Sequence, residues 1–409
     1  MSSITYKNSV LLLSPFFYPE QISTGKYNTA LAKALVERSI SVRVIASYPL
    51  YPEWKPEVCS ASLDDIVIHR AGESIHYPKS PYLRRFFLET WFAWHATVKS
   101  WRYRANTQYV VPIFPPSLFF LFVDFILPRS VRRVGIVHDL QGIYAARSRS
   151  FALHLVSLTI RLVERRVFRR CDKLIFLSSS MRDSAIKVYK LDALKCVVCY
   201  PFVALPASTE FGVLDSIFPV NMRHVVYSGA LGEKQNSDEL VNFMEALSIS
   251  CSDVACHIFS GGPIFENLKK VQQSKGGKIK FHSLVAEEHL MELYTRSDVQ
   301  IIPQAPDTAN GSLPSKLPNL LFAGTPIFAI CDDDSELAKL IRNFDAGFVS
   351  SSWTQENLLA DMEGFLESLC NQNRSQRIFR NKLFLQSSFT VDQVISEIFE
   401  LPSTPASAT

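Results

Sequence analysis

Two apolar runs, Asp298-Val-Gln-Ile-Ile-Pro303 and Thr325-Pro-Ile-Phe-Ala-Ile330, flank a polar loop and one helical stretch. Runs that are apolar throughout read as strands buried on both faces, which is the habit of parallel sheets whose crossovers are helices. The stretch between them, Gly311-Ser-Leu-Pro-Ser-Lys-Leu-Pro-Asn-Leu-Leu-Phe-Ala-Gly-Thr-Pro-Ile327, holds a helix start and a phosphate-like grip in a few residues. The helix is expected to open near Pro314, where a missing N–H is harmless, and to end at Ala323-Gly324. Ser315 and Lys316 then fall in its first turn. A cation there faces the positive end of the helix dipole and is unfavourable unless an anion binds nearby. A surface lysine at a helix start is the plain alternative.

A chain of 409 residues, 47% hydrophobic, exceeds what one core usually holds and points to two domains. The eight cysteines show no disulfide or zinc spacing, and Cys196-Val-Val-Cys199 lies in a strand-like run, so reduced thiols and a cytoplasmic setting are expected. The polar start Met1 to Asn8 and the short apolar run Val10 to Leu13 do not read as a secretory peptide. Charge is split unevenly. Residues 1–205 hold 28 Lys/Arg against 14 Asp/Glu, and residues 206–409 hold 15 against 25. The basic half suits an anionic partner, nucleic acid or membrane, or else merely keeps the domain soluble.

Ser9-Val-Leu-Leu-Leu-Ser14 reads as the first strand, followed by a loop and a helix opening at Thr24-Gly25-Lys26, where the glycine would let a ligand approach the backbone. The pattern has neither the triple glycine of a dinucleotide fingerprint nor a P-loop. Ser41 to Ala46 is the second strand, and the aromatic, proline-rich turn Ser47 to Trp54 follows its carboxyl end, where ligands of open α/β sheets gather. Further strands are expected at Asp65–Arg70, Tyr109–Ile113, Val134–His138, Lys173–Leu177 and Lys195–Cys199.

Pro81 to Arg104 is amphipathic. Leu83, Phe87, Trp91, Trp94, Val98 and Trp101 share one face, and Arg85, Lys99 and Arg102 lie roughly opposite. The pattern fits an interfacial helix, or equally a core-packed helix with solvated cations. The apolar run Val110 to Leu127 is broken by Pro112, Pro115, Pro116 and Asp124, so a strand, a turn and a buried helix are expected there rather than a membrane span. Phe202 to Val220 reads as an interdomain linker. A second series of strands and helices begins at His224-Val-Val-Tyr-Ser228 with the glycine loop Gly229 to Gln235, and continues with Cys256 to Ser260 and the turn Gly261-Gly-Pro263. Strand ends near Lys234, Gly261 and Lys316 could converge on one pocket, whose lysines and N–H groups would suit a diphosphate. Asp332-Asp-Asp334 resembles a metal site, but adjacent residues do not share a face, and Asp334 is expected to cap the next helix.

Tyr18-Pro-Glu20 with Gly25-Lys-Tyr27, Tyr51-Pro-Glu-Trp54, Asp139, Tyr227-Ser-Gly229 with Gly232-Glu-Lys-Gln235, and Leu313-Pro-Ser-Lys-Leu317 with Asn319 together resemble the retaining GT-B glycosyltransferases of family 4, most closely the colanic-acid type of bacterial exopolysaccharide synthesis. The resemblance covers nearly the whole chain. It implies an α/β fold of the GT-B kind, two Rossmann-like parallel-sheet domains facing across a cleft: residues 1–205 on the acceptor side, 206–385 holding the nucleotide sugar, and 386–409 crossing back to the first domain. It implies Lys234, Lys316 and Asp139 as catalytic residues, and donor contacts from Gly25, Gly229, Gly232, Lys234, Gly261, Gly262, Ser315, Lys316 and Asn319. Where the wider family carries an arginine and two glutamates, this chain has Ala230, Gly311 and Asn319, and the colanic-acid branch also lacks the glutamate pair. The implied activity is a hexosyl transfer with retention from a nucleotide sugar to a polyprenyl-diphosphate-linked saccharide, without metal or other cofactor. The enzyme would be cytoplasmic, peripheral on an anionic inner-membrane surface, with no nucleic-acid partner. A sugar-nucleotide epimerase or hydrolase on the same scaffold, and a non-catalytic protein binding anionic lipid or nucleic acid, are the competing readings.

Overall fold

The computed structural model describes residues 8–400 apart from Gln21, Pro52, 141–150, Ala204, 206–210, Asp307, 309–312, 370–375, Arg377, 379–380, 382–384 and 386–387. The chain divides into two compact units, Met1–Phe202 with Thr390–Thr409, and Val203–Phe389.

In the first unit, strands β1 (Ser9–Leu13), β2 (Ser41–Ser47), β3 (Ile66–Ala71), β4 (Tyr109–Phe114), β5 (Arg132–Val137), β6 (Lys173–Phe176) and β7 (Cys196–Val198) form a parallel sheet in the order β3-β2-β1-β4-β5-β6-β7. Leu12 pairs with Val44 on one side and Val111 on the other, so the central strand is apolar and buried on both faces, as the uninterrupted run Val10 to Leu13 requires. Helices α1 (Ser23–Glu37), α2 (Pro81–Tyr103), α3 (Leu118–Ile126), α4 (Phe151–Arg170) and α5 (Ser179–Tyr189) supply the crossovers. Successive neighbours run outward from β1 in one direction and from β4 in the other. Between those two strands the sheet reverses, and in open α/β sheets ligands bind outside the carboxyl ends of the strands at such a point.

The second unit repeats the plan. Strands β8 (Arg223–Ser228), β9 (Val254–Ser260), β10 (Lys280–Ser283), β11 (Val299–Pro303), β12 (Ile327–Ile330) and β13 (Gly347–Ser350) lie in the parallel order β10-β9-β8-β11-β12-β13, with the reversal between β8 and β11. Helices α6 (Ser237–Ser250), α7 (Pro263–Ser274), α8 (Leu290–Arg296), α9 (Leu317–Ala323), α10 (Glu336–Asn343) and α11 (Gln355–Leu369) accompany them. The expected strands are all present. The edge strands β10 and β13 are additions, short and partly exposed, where one ladder edge is unpaired and an apolar run is least needed.

Two expectations are corrected here. The helix after the Asp332–Asp334 run is capped by Ser335, whose hydroxyl accepts from the Ala338 N–H at 3.1 Å, one residue beyond the aspartate assigned that role. The described part of the segment read as a linker is docked on the second unit: the buried Glu292 carboxylate accepts from the N–H groups of Gly212 and Leu214, and Leu214 and Phe218 are buried. Beneath Phe218 runs a row of histidines. His224 Nε2 lies 2.9 Å from the Pro219 carbonyl, His224 Nδ1 3.0 Å from His257 Nε2, and His257 Nδ1 3.1 Å from His282 Nε2. A carbonyl only accepts, so the proton of each neutral ring sits on Nε2 and points the same way along the row. Burial pushes His257 down to about 2 and His282 to about 4, which keeps those two rings uncharged.

The final helix α12 (Val391–Phe399) belongs to the first unit. It buries Val394, Ile395 and Ile398 in that core, sets Phe399 edge-on to Tyr109 with ring centres 4.7 Å apart, and pairs Glu397 with Lys173 at 2.8 Å. Arg38 pairs with Asp392, and Arg132 with Glu400. Ile398→Ala should therefore destabilise the protein by about 2–5 kcal/mol, seen as a lower urea midpoint. A change within about 0.5 kcal/mol would show that the helix contributes little to that core.

Candidate functional site

In the second unit the reversal point places β8 beside β11, and the two strands end in the loops that carry the candidate lysines. Lys316 ties them together. Its Nζ donates to the Ile301 carbonyl at 2.7 Å and the Ser228 carbonyl at 3.1 Å, and lies 4.6 Å from the centre of the Tyr227 ring. The Tyr227 hydroxyl in turn donates to the Ala230 carbonyl at 2.6 Å, and Ser228 Oγ to Gln300 Oε1 at 3.1 Å. A backbone bond from Ala305 N–H to the Lys234 carbonyl, 2.8 Å, closes the second link between the loops. Lys234 itself is exposed, in the short turn Glu233–Gln235.

The helix is not placed as expected. It begins at Leu317 with Pro318 in its first turn, so Pro318 rather than Pro314 is the proline tolerated for want of an N–H partner. Ser315 and Lys316 occupy the turn before it, and Lys316 is the N-cap residue with no side-chain cap bond. The dipole argument for an anion beside Lys316 therefore loses its premise. The side chain is held by two carbonyls and an aromatic face and has a structural task of its own. Ser315 is exposed, Asn319 is partly exposed on α9, and Gly311 lies outside the described residues.

Gly229 and Gly232 line the loop after β8, and Gly261 and Gly262 follow the adjacent β9. Gly262, at φ 93°, turns the chain into α7 with a backbone that side chains rarely adopt. A side chain built on Gly261 would meet no atom within 4 Å, so no internal packing demands glycine there, whereas a ligand lying against the backbone would.

The remaining candidates lie in the first unit. At Gly25 the close approach comes from the chain itself, because a Cβ would stand 2.8 Å from Glu20 Cβ and 2.9 Å from its carbonyl oxygen. Glu20, buried, accepts from the N–H groups of Leu50 at 2.8 Å and Tyr51 at 3.3 Å and so joins the loops after β1 and β2. Asp139 follows β5, and its carboxylate accepts from the Leu140 N–H at 3.0 Å. His138 stands edge-on to Tyr27 with ring centres 4.8 Å apart. Burial pushes the His138 imidazole down to about 3, which keeps it neutral and unfit to be a resident cation. His138 Nε2, Tyr27 Oη and Asn28 Oδ1 are buried with no hydrogen-bond partner among the described residues. A substrate hydroxyl reaching them would satisfy groups that the fold leaves unmatched.

Sequence reasoning gave Tyr227, quoted only as part of a motif, no role of its own, though its ring supports Lys316, and passed over Arg84, which lies over Trp54 at 4.2 Å. Neither contact has a linear signal, since each joins residues from separate elements. The stripe on α2 resolves toward the surface. Trp94 is 76% and Trp101 54% exposed, with Leu83, Phe87 and Val98 also out, while the opposite face buries Leu88, Phe92 and Ala96. Trp91 is the exception, packed against Gly72 and donating to the Tyr77 hydroxyl at 2.6 Å.

Residues 24–205 match the family model described as Glycosyltransferase Family 4. The chain is also 23% identical over 357 residues to the putative colanic acid biosynthesis glycosyl transferase WcaI of Escherichia coli (strain K12), covering 82% of this chain and 86% of that protein. Among solved structures it is similar to a sucrose-phosphate synthase from Thermosynechococcus elongatus (TM-score 0.72, 14% identity, 96% of this chain and 98% of that one). It is similar too to WaaG, a glycosyltransferase involved in lipopolysaccharide biosynthesis (TM-score 0.68, 14% identity, 95% and 99%). The two-unit α/β architecture is thus the GT-B fold of these structures.

Burial pushes the Lys316 ammonium down to about 7, well below the ordinary lysine value. Below that pH both folded and unfolded states carry the proton, and the cost of burying a charge is felt in full. Between about pH 7 and 10 the folded protein has released a proton that the unfolded chain retains, so Lys316 makes stability rise with pH. Lys316→Met should flatten this rise in urea titrations run from pH 7 to 10. An unchanged slope would mean that the ammonium is solvated rather than held by Ile301 and Ser228.

Proposed function

We propose that the protein is a glycosyltransferase of bacterial surface-polysaccharide synthesis, moving a hexosyl group from a nucleotide sugar to a lipid-linked saccharide with retention. The observation that carries this reading is the reversal point of the second sheet, where Lys234, Lys316 and the open turn at Gly261 and Gly262 stand at the ends of three adjacent strands. Such crevices bind nucleotides in open α/β sheets, and a diphosphate there meets cationic side chains and a glycine backbone that lets it approach. The match of residues 24–205 to Glycosyltransferase Family 4 supports the same class of chemistry.

The chemistry assigned to these residues is electrostatic. The bond from the anomeric carbon to the diphosphate oxygen breaks as the acceptor hydroxyl attacks from the same face, and the acceptor's proton passes to the departing diphosphate. Positive charge fixed beforehand stabilises the negative charge that grows on the leaving group. Lys316, poised near neutrality, becomes more fully charged as the diphosphate arrives, because a nearby anion favours the ammonium. Asp139 and His138 are assigned to hydroxyls of the saccharide that the first unit binds. The lysines provide the charge that a divalent ion would otherwise supply, so no metal is assigned to the reaction.

Incubation with a panel of nucleotide sugars and a short-chain lipid-linked saccharide, followed by product analysis, tests this reading, and glycosylated acceptor should form in EDTA. Nucleotide-sugar hydrolysis or epimerisation without acceptor product would favour the competing enzyme class. Turnover of none would leave a binding protein. Charge-assisted contacts to an anion are worth about 1.5–3 kcal/mol each, so Lys234→Ala should slow transfer by roughly one to two decades with an unaltered urea midpoint. Unchanged kinetics would remove Lys234 from the site.

No helix among the described residues is long and apolar enough to cross a membrane. We assign the enzyme to the cytoplasmic membrane face through the exposed α2 stripe and the groove between α3 and α4, where Phe125 (88% exposed) and Leu121 are ringed by Arg129, Arg166 and Arg170. Exposed aromatics beside arginines suit an anionic interface, each basic residue contributing about 1 kcal/mol near such a surface. The protein should float with phosphatidylglycerol vesicles and not neutral ones, less so at high salt, and least with Trp94→Ser and Trp101→Ser combined. Retention in the soluble fraction throughout would make the patch a solvated face.

A further inference from the structure

Three loops at the carboxyl edge of the first sheet meet on one indole. Phe16 from the loop after β1 and Tyr77 from the loop after β3 stand edge-on to Trp54, from the loop after β2, with ring centres 6.3 and 5.7 Å away. Tyr77 is fixed in turn by the Trp91 N–H on α2. Trp54 itself has φ 57°, a left-handed backbone that a bulky residue adopts only when its surroundings hold it there. Such conformations concentrate at ligand clamps.

The fourth member of the cluster is Arg84, in the first turns of α2, with its guanidinium carbon 4.2 Å from the Trp54 ring centre. Several other arginines of this unit find carboxylates, among them Arg85 with Glu89, Arg133 with Asp124 and Arg38 with Asp392. Among the described residues the Arg84 guanidinium has neither an ion pair nor a hydrogen bond. A planar cation laid on an indole keeps its fork of N–H donors for another partner, and the partner whose geometry matches that fork is a phosphate or carboxylate. Partial burial also lowers the Arg84 pKa, as expected for a charge that lacks a counter-ion.

What surrounds Arg84 narrows the anion. Leu83, Phe86 and Phe87, on either side of it in the helix, are all exposed, and the exposed stripe continues through Trp94, Val98 and Trp101. A ligand with its anion at Arg84 and an apolar chain along α2 would use both features on the face assigned above to the membrane, whereas a free anion would use only the first. We propose that Trp54 and Arg84 form the seat for the phosphate of a lipid-linked acceptor, with its hydrocarbon chain lying along the exposed face of α2. The assignment rests on the glycosyl-transfer reading only in calling that ligand an acceptor.

Calorimetry with farnesyl diphosphate, inorganic diphosphate and farnesol, on the full chain below the micellar range, tests the seat. Farnesyl diphosphate should bind at least tenfold more tightly than either fragment. Arg84→Ala and Arg84→Gln should weaken that binding tenfold or more, and Arg84→Lys, which keeps the charge but loses the planar fork, should fall between. Uridine diphosphate serves as the control for the second unit and should be unaffected. Equal binding of farnesyl diphosphate by wild type and any folded Arg84→Ala or Arg84→Gln variant would overturn the proposal. Inorganic diphosphate binding as tightly as the farnesyl ester would overturn its lipid part. Should no transfer be found while Arg84-dependent binding persists, the transferase reading falls and the seat stands. Should Arg84→Ala transfer to a lipid-linked saccharide with an unchanged acceptor KM, the seat falls and the transferase reading stands.

Discussion

The second unit depends on one buried ammonium. Parallel strands β8 and β11 are adjacent in space but far apart in sequence, and the carbonyls of Ser228, which ends β8, and Ile301, within β11, lie beyond their last paired residues, Val226 and Gln300. Unpaired buried carbonyls are costly, and a lysine from the following turn satisfies both. The same contact seats Lys316 over Tyr227, whose hydroxyl holds the Ala230 carbonyl and so shapes the loop leading to Lys234. A polar need of the fold thereby prearranges the glycine loop, the turn at Ser315 and the exposed lysine. A side chain that both completes a sheet edge and carries charge to a crevice serves stability and chemistry at once, and separating the two by substitution requires a readout for each.

The first unit uses carboxylate and amide side chains for the corresponding work. Glu20 joins the loops after β1 and β2 through two backbone N–H groups, and Asn28 Nδ2 donates to both Ser14 Oγ and the Phe16 carbonyl at 3.0 Å. The loop that presents Phe16 is therefore tied down from two sides, and Trp54 meets it edge-on from the neighbouring loop. Preorganisation of this kind lets loop residues hold a ligand without first paying the entropy of ordering themselves.

How much of this was legible in the linear chain depended on the range of the interaction. Runs such as Val10 to Leu13 and Val299 to Ile302 are buried on both faces, so their character is written locally, and the doubly wound plan follows from alternating them with helices. The edge strands were not visible, because Lys280-Phe-His-Ser283 is short, with Lys280 and Ser283 exposed and only Phe281 and His282 partly buried. The start of α9 was misplaced by three residues, since prolines at 314 and 318 both fit a helix start and the choice is made by Lys316 reaching back to β8 and β11. Candidate lysines and glycines could be picked out by spacing. Their support could not, because Tyr227 under Lys316 and Trp54 under Arg84 are pairings across elements that leave no periodic trace. The α2 stripe was readable as a stripe, but which face meets solvent was decided by Phe92 packing on Phe119 of α3 at 5.2 Å.

The histidine row beneath Phe218 has a consequence for substitution as well as for folding. His224 and His257 each donate one hydrogen bond and accept another, and His282 donates the last, so the orientation set by the Pro219 carbonyl is passed from β8 to β9 to β10. An apolar substitution at the middle ring, His257, leaves the His224 Nδ1 acceptor and the His282 Nε2 donor unmatched, whereas loss of the end ring His282 leaves only the His257 Nδ1 acceptor, so the damage depends on where the row is broken. Second changes in the row add little to the first. His224, His257 and His282 are thus coupled, and exchanging all three for an apolar layer leaves fewer unmatched groups than removing His257 alone.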